Sequence, residues 1–230
     1  MKKGIVIIVV CLLLVVSIWQ LSRSRTFQYT GTLIHRVDTD QKKIALTFDD
    51  GPVPEKTTAI LHLLERLKVP ATFFLVGRNI ERYPELTRNI VSHGHELGNH
   101  SYSHQRMVLV GYDFVQKEIE QTDQLIRQAG FTGEIRFRPP NCLKLVNLPR
   151  YLAEHNITSV TWDVEPETYV NGTDSHALVQ YTLAHTRPGS IILLHPMYAH
   201  SKSVMAALPK IVHSLRQQGY TFVTLSGLLQ

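Results

Sequence analysis

Two adjacent carboxylates and two closely spaced histidines are the side chains in this sequence best placed to do chemistry. Asp49 and Asp50 follow an apolar run and precede a Gly-Pro turn. Adjacent residues at a strand end point in different directions, so one carboxylate can bind a cation while the other reaches a water molecule. An ordinary Asp-Gly turn is the structural alternative.

His100 and His104 are spaced i, i+4. On a helical turn this spacing places both imidazoles on one face, where one first-row metal ion can take two nitrogen ligands. Two exposed surface histidines are the alternative. One carboxylate with two histidines leaves a coordination position for water, which is typical of catalytic rather than structural metal sites. A metal ion can lower the pKa of such a water to about 7, and a neighbouring carboxylate can then take its proton.

Further polar residues follow other apolar runs. His195 ends the run 191–194 and can protonate a leaving group, although a hydrogen-bonded core histidine is equally consistent with its position. Asp163 and Glu165 follow the run 157–162, and one of their carboxylates can hydrogen-bond the histidine and hold its tautomer.

A fifth candidate lies around two consecutive prolines. Arg138 directly precedes Pro139 and Pro140, which hold the backbone rigidly, and its guanidinium can pair with a carboxylate base. The N–H of Asn141, just beyond the prolines, can point at an oxyanion. Taken singly, the arginine, the asparagine and the acids after residue 162 have structural explanations as well.

Strand and helix signals alternate along most of the chain, as needed to position these residues. The predicted strands are 43–48, 71–76, 135–137, 157–162, 190–194 and 220–224, and the predicted helices are 54–67, 84–91, 113–129, 148–155, 174–185 and 203–217. This alternation predicts an α/β fold with parallel strands and outer helices, close to a (β/α)₈ barrel and incomplete. Working residues are then expected at the carboxyl ends of the strands. A doubly wound open sheet is the alternative, but no glycine-rich phosphate loop supports a dinucleotide site.

The apolar N-terminal segment, 1–21, is interpreted as a signal anchor or a signal peptide. We favour an uncleaved anchor helix because no small-residue cleavage site follows it, and Lys2 and Lys3 then place the rest of the chain outside the cytoplasm. A polar linker is expected over 22–30 and one globular domain over 31–230.

Composition excludes several other classes of protein. The 230 residues are 43% hydrophobic and 19% charged, as in a chain with a real core rather than a disordered one. The net charge of +5 is spread too thinly for a nucleic-acid-binding stripe. Cys11 and Cys142 lie too far apart in sequence and context to suggest a disulfide or a metal-binding cysteine pair.

Taken in order, these motifs resemble those of the polysaccharide deacetylases with a NodB homology domain, carbohydrate esterase family 4. The resemblance covers about residues 40–225. Thr47–Gly51 (TFDDG) and His100–His104 (HSYSH) match the family's first two motifs, Phe137–Pro140 (FRPP) the start of the third, and Leu194-His195 the fifth.

The resemblance implies a distorted (β/α) barrel, a divalent metal and a set of residue roles. Zinc is favoured as the metal, with cobalt or another divalent ion as alternatives. Asp49 would be the general base and His195 the general acid, and Arg138 would position Asp49. The implied metal ligands are Asp50, His100 and His104.

Two departures from the family pattern affect the expected site. Asn141-Cys142 replaces the usual Tyr-Gly of the third motif, which leaves the backbone oxyanion donor at Asn141 but removes an aromatic substrate contact. In the fourth motif, usually Asp-x-x-Asp-Trp, the aligned run is 165–169, EPETY. Glu165 would replace the aspartate that supports the histidine acid, with Asp163 as a nearby substitute.

The expected function is a metal-dependent N-deacetylase of N-acetylglucosamine-type units in peptidoglycan or a chitin-like polysaccharide. Its expected partners are the polysaccharide and, through the anchor, the cell membrane, with no nucleic acid; a monomer is expected. Secretion is the alternative location. An O-acetyl esterase of xylan-type chains and an inactive glycan-binding relative are the alternative functions.

Overall fold

A computed structural model describes residues 2–198 and 201–230 of the chain. A single long apolar helix, α1 (Lys2–Ser22), precedes the globular part. By length and composition it is able to cross a membrane, a property that a signal sequence shares. Met1, the first residue of the predicted anchor, lies outside the described residues.

The described part of the chain contains seven strands. They are β1 (Leu33–Ile34), β2 (Lys43–Asp49), β3 (Thr72–Leu75), β4 (Glu96–Asn99), β5 (Ser159–Val160), β6 (Ile191–Leu194) and β7 (Thr221–Val223). The main sheet has the order β4-β3-β2-β6, and β7 also pairs with the beginning of β2. All of these pairings are parallel, as the alternation of strands and helices predicts.

Isolated bridges continue the sheet around its axis. Phe137 bridges in parallel to both Asn99 of β4 and Ser159 of β5, and Val164 bridges in parallel to Ile192 of β6. The strands therefore form a distorted, incomplete barrel rather than an open doubly wound sheet. The predicted strand 135–137 is reduced to the bridge at Phe137.

Helices surround this sheet. They are α2 (Lys56–Leu67), α3 (Gly77–Arg82), α4 (Pro84–Ser92), α5 (Tyr112–Gln128), α6 (Asn147–Glu154), α7 (Pro166–Tyr169), α8 (Ser175–His185), α9 (Ser201–Gln217) and α10 (Leu225–Leu228), with a 3₁₀ turn at Pro140–Cys142. All six predicted helices are confirmed to within two residues at each end. The strands β1 and β4 and the short helices α3, α7 and α10 were not predicted, because they have too few residues to show a period.

Local signals explain where the longer helices begin and end. Pro84 occupies the first turn of α4, where its missing N–H costs no hydrogen bond. Asp174 caps α8 by accepting hydrogen bonds from the N–H groups of His176 and Ala177, at 2.8 and 3.2 Å. Lys68 ends α2 in the left-handed conformation (φ 52°), two residues before Pro70.

The core lies between the sheet and the outer helices. Every residue of β2 from Ile44 to Asp49 is buried, which is typical of a parallel strand covered on both faces. Ile60 and Leu64 of α2 and Ile211 of α9 are fully buried in the same apolar cluster. Because β2 occupies the centre, the carboxylates at its end, Asp49 and Asp50, are held at a fixed place on the carboxyl edge of the sheet.

Candidate active site

A cleft of about 1110 Å³ opens at the carboxyl ends of the strands. Residues from separate motifs line it, as expected for a parallel barrel. Among them are Asp49, Asp50, His100, His104, Asn141 and His195. The fold thus brings together motifs that lie almost 150 residues apart in sequence.

Asp49 forms an ion pair with the fully buried Arg138. The distance from Arg138 Nη1 to Asp49 Oδ1 is 2.6 Å, and the same nitrogen donates to Thr47 Oγ1 at 2.9 Å. Nη2 donates to the carbonyl of Thr161, so the guanidinium is fixed from several sides. Burial alone raises the pKa of Asp49, but the charges of Arg138 and His100 outweigh it and hold that pKa below its usual value. Asp49 is therefore a carboxylate at neutral pH.

Asp50, His100 and His104 form a cluster that fits a divalent cation. Their ligand atoms lie within 4.8 Å of one another, and His104 Nε2 is 3.3 Å from Asp50 Oδ1. His100 Nδ1 lies 2.7 Å from the carbonyl oxygen of Arg138, which fixes the ring with Nε2 towards the cleft. Burial lowers the pKa of both histidines and raises that of Asp50. Neutral imidazoles are the form that binds a metal, and an added cation would stabilise the buried carboxylate.

The loop that carries the two histidines is not the predicted helical turn. Residues 100–104 form no helix: the chain bends at Tyr102 and Ser103, and both Ser101 (φ 62°) and His104 (φ 59°) adopt the left-handed conformation. Asn99 Oδ1 accepts from the N–H of Ser101, and Ser101 Oγ accepts from the N–H of His104. These side-chain contacts replace helical hydrogen bonds and still bring the two imidazoles to a centroid distance of 4.9 Å.

Asp50 reaches this cluster because the chain turns sharply after β2. Asp50 (φ 68°) and Gly51 (φ 71°) are both left-handed, a conformation that aspartate tolerates and glycine adopts freely. The turn directs the second carboxylate towards His104 while Asp49 remains on the strand beside Arg138. The two adjacent acids thus point to different partners.

The expectation that Glu165 supports His195 is wrong. His195 Nδ1 lies 3.0 Å from Oε2 of Glu167, and the N–H of His195 donates to the same oxygen at 3.0 Å. Burial by itself lowers the pKa of His195, but the hydrogen bond and charge of Glu167, with Asp49 and Asp50 nearby, raise it to about 9. The imidazole is therefore protonated at neutral pH.

The reason lies in the helical turn α7. Glu165 precedes Pro166 and accepts a hydrogen bond from Trp162 Nε1 at 2.9 Å, whereas Glu167 lies inside the turn, which packs against β6. A proline followed by a short polar run predicts such a turn, and this signal was available in the sequence. Asp163 is not the substitute either, because it accepts from Ser190 Oγ and the N–H of Ile191.

Asn141 lines the same cleft, in the middle of the 3₁₀ turn that follows Arg138. Its φ of 54° is left-handed, which asparagine adopts more readily than most residues. The N–H groups of the two following residues, Cys142 and Leu143, bond back to the carbonyls of Pro139 and Pro140. These hydrogen bonds fix the backbone conformation of Asn141, which lies in the cleft as the sequence predicted.

Comparison with known proteins agrees with this geometry. The family model described as "Polysaccharide deacetylase" matches residues 36–160. A peptidoglycan-N-acetylglucosamine deacetylase of Bacillus cereus is 36% identical over 193 residues, which cover 83% of this chain and 70% of that protein.

Solved structures match the fold as well. A crystal structure of a peptidoglycan N-acetylglucosamine deacetylase superposes with a TM-score of 0.80 at 33% identity, covering 85% of this chain and 92% of that one. A pseudoenzyme of carbohydrate esterase family 4 from Bacillus anthracis superposes with a TM-score of 0.79 at 27% identity, covering 87% of this chain and 70% of that one. Structures this similar therefore include both an enzyme and a pseudoenzyme.

Proposed function

We propose that this chain, which belongs to the polysaccharide deacetylase family, removes the N-acetyl group from the N-acetylglucosamine of a cell-envelope polysaccharide, peptidoglycan in the first place. Acetate and a glucosamine unit are the products. The observation that supports this most directly is the convergence of Asp49, His195 and the cluster of Asp50, His100 and His104 at one cleft.

We assign the cluster of Asp50, His100 and His104 as the site of a divalent metal ion, with zinc favoured and cobalt or another divalent ion as alternatives. A cation there would lower the pKa of a bound water and polarise the acetyl carbonyl. The donor set of two imidazoles and one carboxylate suits such an ion. The contact between His100 Nδ1 and the Arg138 carbonyl holds one ligand in the required orientation.

Asp49 is the proposed general base. Its pKa is held below the usual value by Arg138 and His100, so it is ionised and ready to take a proton from the attacking water. The water oxygen adds to the acetyl carbonyl carbon, and the carbonyl oxygen becomes an oxyanion. The backbone N–H of Asn141 is the proposed hydrogen-bond donor to that oxygen. Arg138 is a positioning residue, since it contacts Asp49 and not the cleft.

His195 is the proposed general acid. Glu167 keeps its imidazole protonated, so His195 can donate a proton to the amide nitrogen as the carbon–nitrogen bond breaks. The amine then leaves as a neutral group and acetate remains. Because Glu167 bonds to His195 Nδ1, the opposite ring nitrogen, Nε2, is the one available to the substrate.

The proposed location is the cell membrane, with the globular part outside the cytoplasm and α1 as a single-pass anchor. Its 21 residues give a helix of about 30 Å, which matches the hydrocarbon thickness of a bilayer. We propose the catalytic domain over 31–230, with residues 22–30 as a connecting segment to the anchor that contacts the domain at Ser22 and Ser24. A secreted form, with α1 removed as a signal peptide, is the alternative.

Acetate release from purified full-length protein tests the proposed function. The substrates are N-acetylglucosamine oligomers, peptidoglycan glycan strands and acetylated xylan, and the metal content of the same sample is measured. We expect acetate from the first two and a loss of activity after chelation that zinc or cobalt restores. Release from xylan alone would instead identify an O-acetyl esterase.

An inactive glycan-binding relative is a second candidate, because a pseudoenzyme shares this fold. The departures at Asn141-Cys142 and at 165–169 motivate it as well. Its sign would be binding of the same glycans with no acetate released in the presence of added zinc or cobalt.

A further inference from the structure

The segment between α1 and the globular part is docked on the domain. Ser22 is 1% exposed, and its carbonyl oxygen accepts a hydrogen bond from the N–H of Lys144 at 2.8 Å. The carbonyl of Ser24 accepts from Lys144 Nζ and from the thiol of Cys142, the latter at 3.6 Å. Lys144 and Cys142 are both buried, so these contacts are shielded from water.

This docking involves the residues by which the chain departs from its family. Cys142 stands where the third motif usually has glycine, and a glycine has no side chain to contact Ser24. On the other side of the segment, Thr161 Oγ1 donates to the carbonyl of Arg25 at 2.6 Å. One departure from the third motif, Cys142, therefore contacts the segment 22–25 of the same chain.

Arg25 projects from this segment into the catalytic cleft. Its guanidinium carbon lies 5.9 Å from the Trp162 ring centroid and 5.5 Å from that of Tyr169, whose hydroxyl accepts a hydrogen bond from Nη2. These aromatic contacts limit the positions that the guanidinium can take. Arg25 lines the same cleft as Asp49, Asp50 and His195, and its side chain is 29% exposed.

Part of the hydrogen-bonding capacity of Arg25 is unused. Its Nη1 is buried and, within the part of the chain that the structure describes, has no hydrogen-bond partner. Glu165 Oε2 lies 3.8 Å away, too far for a hydrogen bond, and that oxygen already accepts from Trp162 Nε1. A buried donor without a partner is costly, and a ligand carboxylate is the acceptor that pairs best with a guanidinium.

Two more arginines add positive charge to the cleft. Arg23 and Arg106 line the cleft with Arg25, and neither pairs with a carboxylate among residues 2–198 and 201–230. Of the acidic residues that line the cleft, Glu165 lies beside Arg25, whereas Asp49, Asp50 and Glu167 lie around His195 and the cation site. A glycan with a negative group a short distance from its acetamido group can place that group at Arg25 and the acetamido group at the catalytic residues.

We propose that residues 22–25 form a wall of the substrate cleft and that Arg25 is a specificity-determining residue that binds a carboxylate substituent of the glycan. The inference deepens the proposed function, on which it rests, and names its substrate class: N-acetylated glycans with acidic sugar substituents rather than neutral ones. The anionic group forms charge-assisted hydrogen bonds with the guanidinium while the acetamido group reaches Asp49 and His195.

The test compares two glycans of equal length on the full-length protein in detergent. One is a neutral N-acetylglucosamine oligomer; the other alternates N-acetylglucosamine with a sugar that carries a carboxylate. The variants are R25M, which removes the charge, and R25K, which keeps it. Arg187 is the matched control, because it lies 3.7 Å from Asp163 as Arg25 lies 3.8 Å from Glu165, but it does not line the cleft.

We expect wild type to prefer the acidic glycan. R25M should raise KM for that glycan about tenfold, the usual worth of one charge-assisted hydrogen bond, with kcat and the KM for the neutral oligomer nearly unchanged. R25K should recover part of the loss, and R187M should behave as wild type. Added salt should weaken the preference of wild type for the acidic glycan and should have little effect on R25M, which lacks that preference.

Three results would overturn the inference in distinguishable ways. Equal losses on both glycans in R25M would show that Arg25 only supports the fold. Equal cleavage of both glycans by wild type would refute the acidic substrate class while the proposed deacetylase function stands. Acetate from neither glycan would refute the proposed function, and the inference with it.

Discussion

Single residues in the cleft hold their charge because of their neighbours. Arg138 is fully buried and is neutralised by Asp49 at 2.6 Å, so each depends on the other for its ionised form. His195 depends in the same way on Glu167. The proposed base is thereby kept unprotonated and the proposed acid protonated at one pH, which is the combination that amide hydrolysis needs.

D49N is expected to abolish turnover while the protein still binds its metal ion. Asparagine keeps the shape of the side chain but cannot take a proton, so kcat should fall by about 10²–10⁴-fold. Loss of the charge also leaves Arg138 without its counter-ion, which should lower the free energy of unfolding by about 3 kcal/mol. Acetate release, metal content and thermal unfolding measure these effects.

D50N provides the comparison for that prediction, because Asp50 lies in the candidate metal cluster. It should lose metal as well as activity. Activity retained in D49N would contradict the assignment of Asp49 as the base. If D49N lost the metal and D50N kept it, Asp49 would be the metal ligand and Asp50 the candidate base.

E167Q is expected to move the alkaline limb of the pH–activity profile to lower pH. Glu167 raises the pKa of His195 to about 9, so its removal lowers that pKa and the protonated acid is lost sooner as the pH rises. A hydrogen bond to a charged group corresponds to a shift of about one to two pH units. The pH dependence of kcat on N-acetylglucosamine oligomers measures it.

E165Q is the control, since Glu165 bonds to Trp162 and not to His195. The alkaline limb of E165Q should stay in place. A shift in E165Q but not in E167Q would restore the assignment of Glu165 made from the sequence.

The raised pKa of His195 also makes the stability of the fold depend on pH. Because the folded-state pKa of His195 lies above the usual 6.5, the contact with Glu167 stabilises the fold fully below pH 6.5 and loses this contribution as the pH rises towards 9.

Whole elements determined which features of the site could be predicted from sequence. Four of the predicted site residues lie at or just after the end of a strand or apolar run: Asp49, Asp50, Arg138 and His195. The carboxyl ends of parallel strands meet at one edge of the sheet, so the sequence could place these residues together. Glu167 could not be assigned by motif spacing, because one helical turn, α7, decides which of two acids faces β6. The loop 100–104 was predicted as helical because i, i+4 spacing does not distinguish a helix from a loop held by side-chain hydrogen bonds.

The packing of β4 against α5 supports that loop and makes a prediction of its own. Asn99, at the end of β4, donates to the carbonyl of Ile119 at 2.9 Å and to Asp123 Oδ1 at 2.7 Å. Its own Oδ1 accepts from the N–H of Ser101, so one amide connects α5 to the loop that carries His100. Burial raises the pKa of Asp123 to about 6, despite the hydrogen bond from Asn99.

D123N is therefore expected to alter the pH dependence of stability. The folded-state pKa of Asp123 lies above its usual 3.8, so wild type loses stability as the pH rises from about 4 to about 6, whereas the amide of the D123N variant does not titrate and has no such dependence. The variant should gain up to about 3 kcal/mol on wild type over this range. Chemical unfolding at pH 4 and pH 7 measures the difference. D113N, at an exposed position of α5, should show no such gain, and parallel curves for wild type and D123N would contradict the prediction.

At the scale of the whole molecule, the order of elements was easier to predict than the closure of the barrel. Six helices were predicted correctly because each shows a clear period and a terminating signal. The incomplete closure depends on isolated bridges at Phe137 and Val164, and single bridges leave no periodic pattern in a sequence. The docking of Ser22 and Arg25 was not predicted for a related reason: their polar composition is also typical of a free linker.

The full-length protein is expected to remain in the membrane through α1. Every residue of α1 from Lys3 to Leu21 is solvent-exposed, so the described part of the chain leaves its apolar surface uncovered and that surface needs lipid. Expressed in a bacterium, the chain should sediment with membranes, resist alkaline carbonate and keep the mass of 26.2 kDa. L13R should weaken insertion, since a charge at the helix centre costs about 3 kcal/mol. A shorter product in the medium from wild type would instead identify α1 as a cleaved signal.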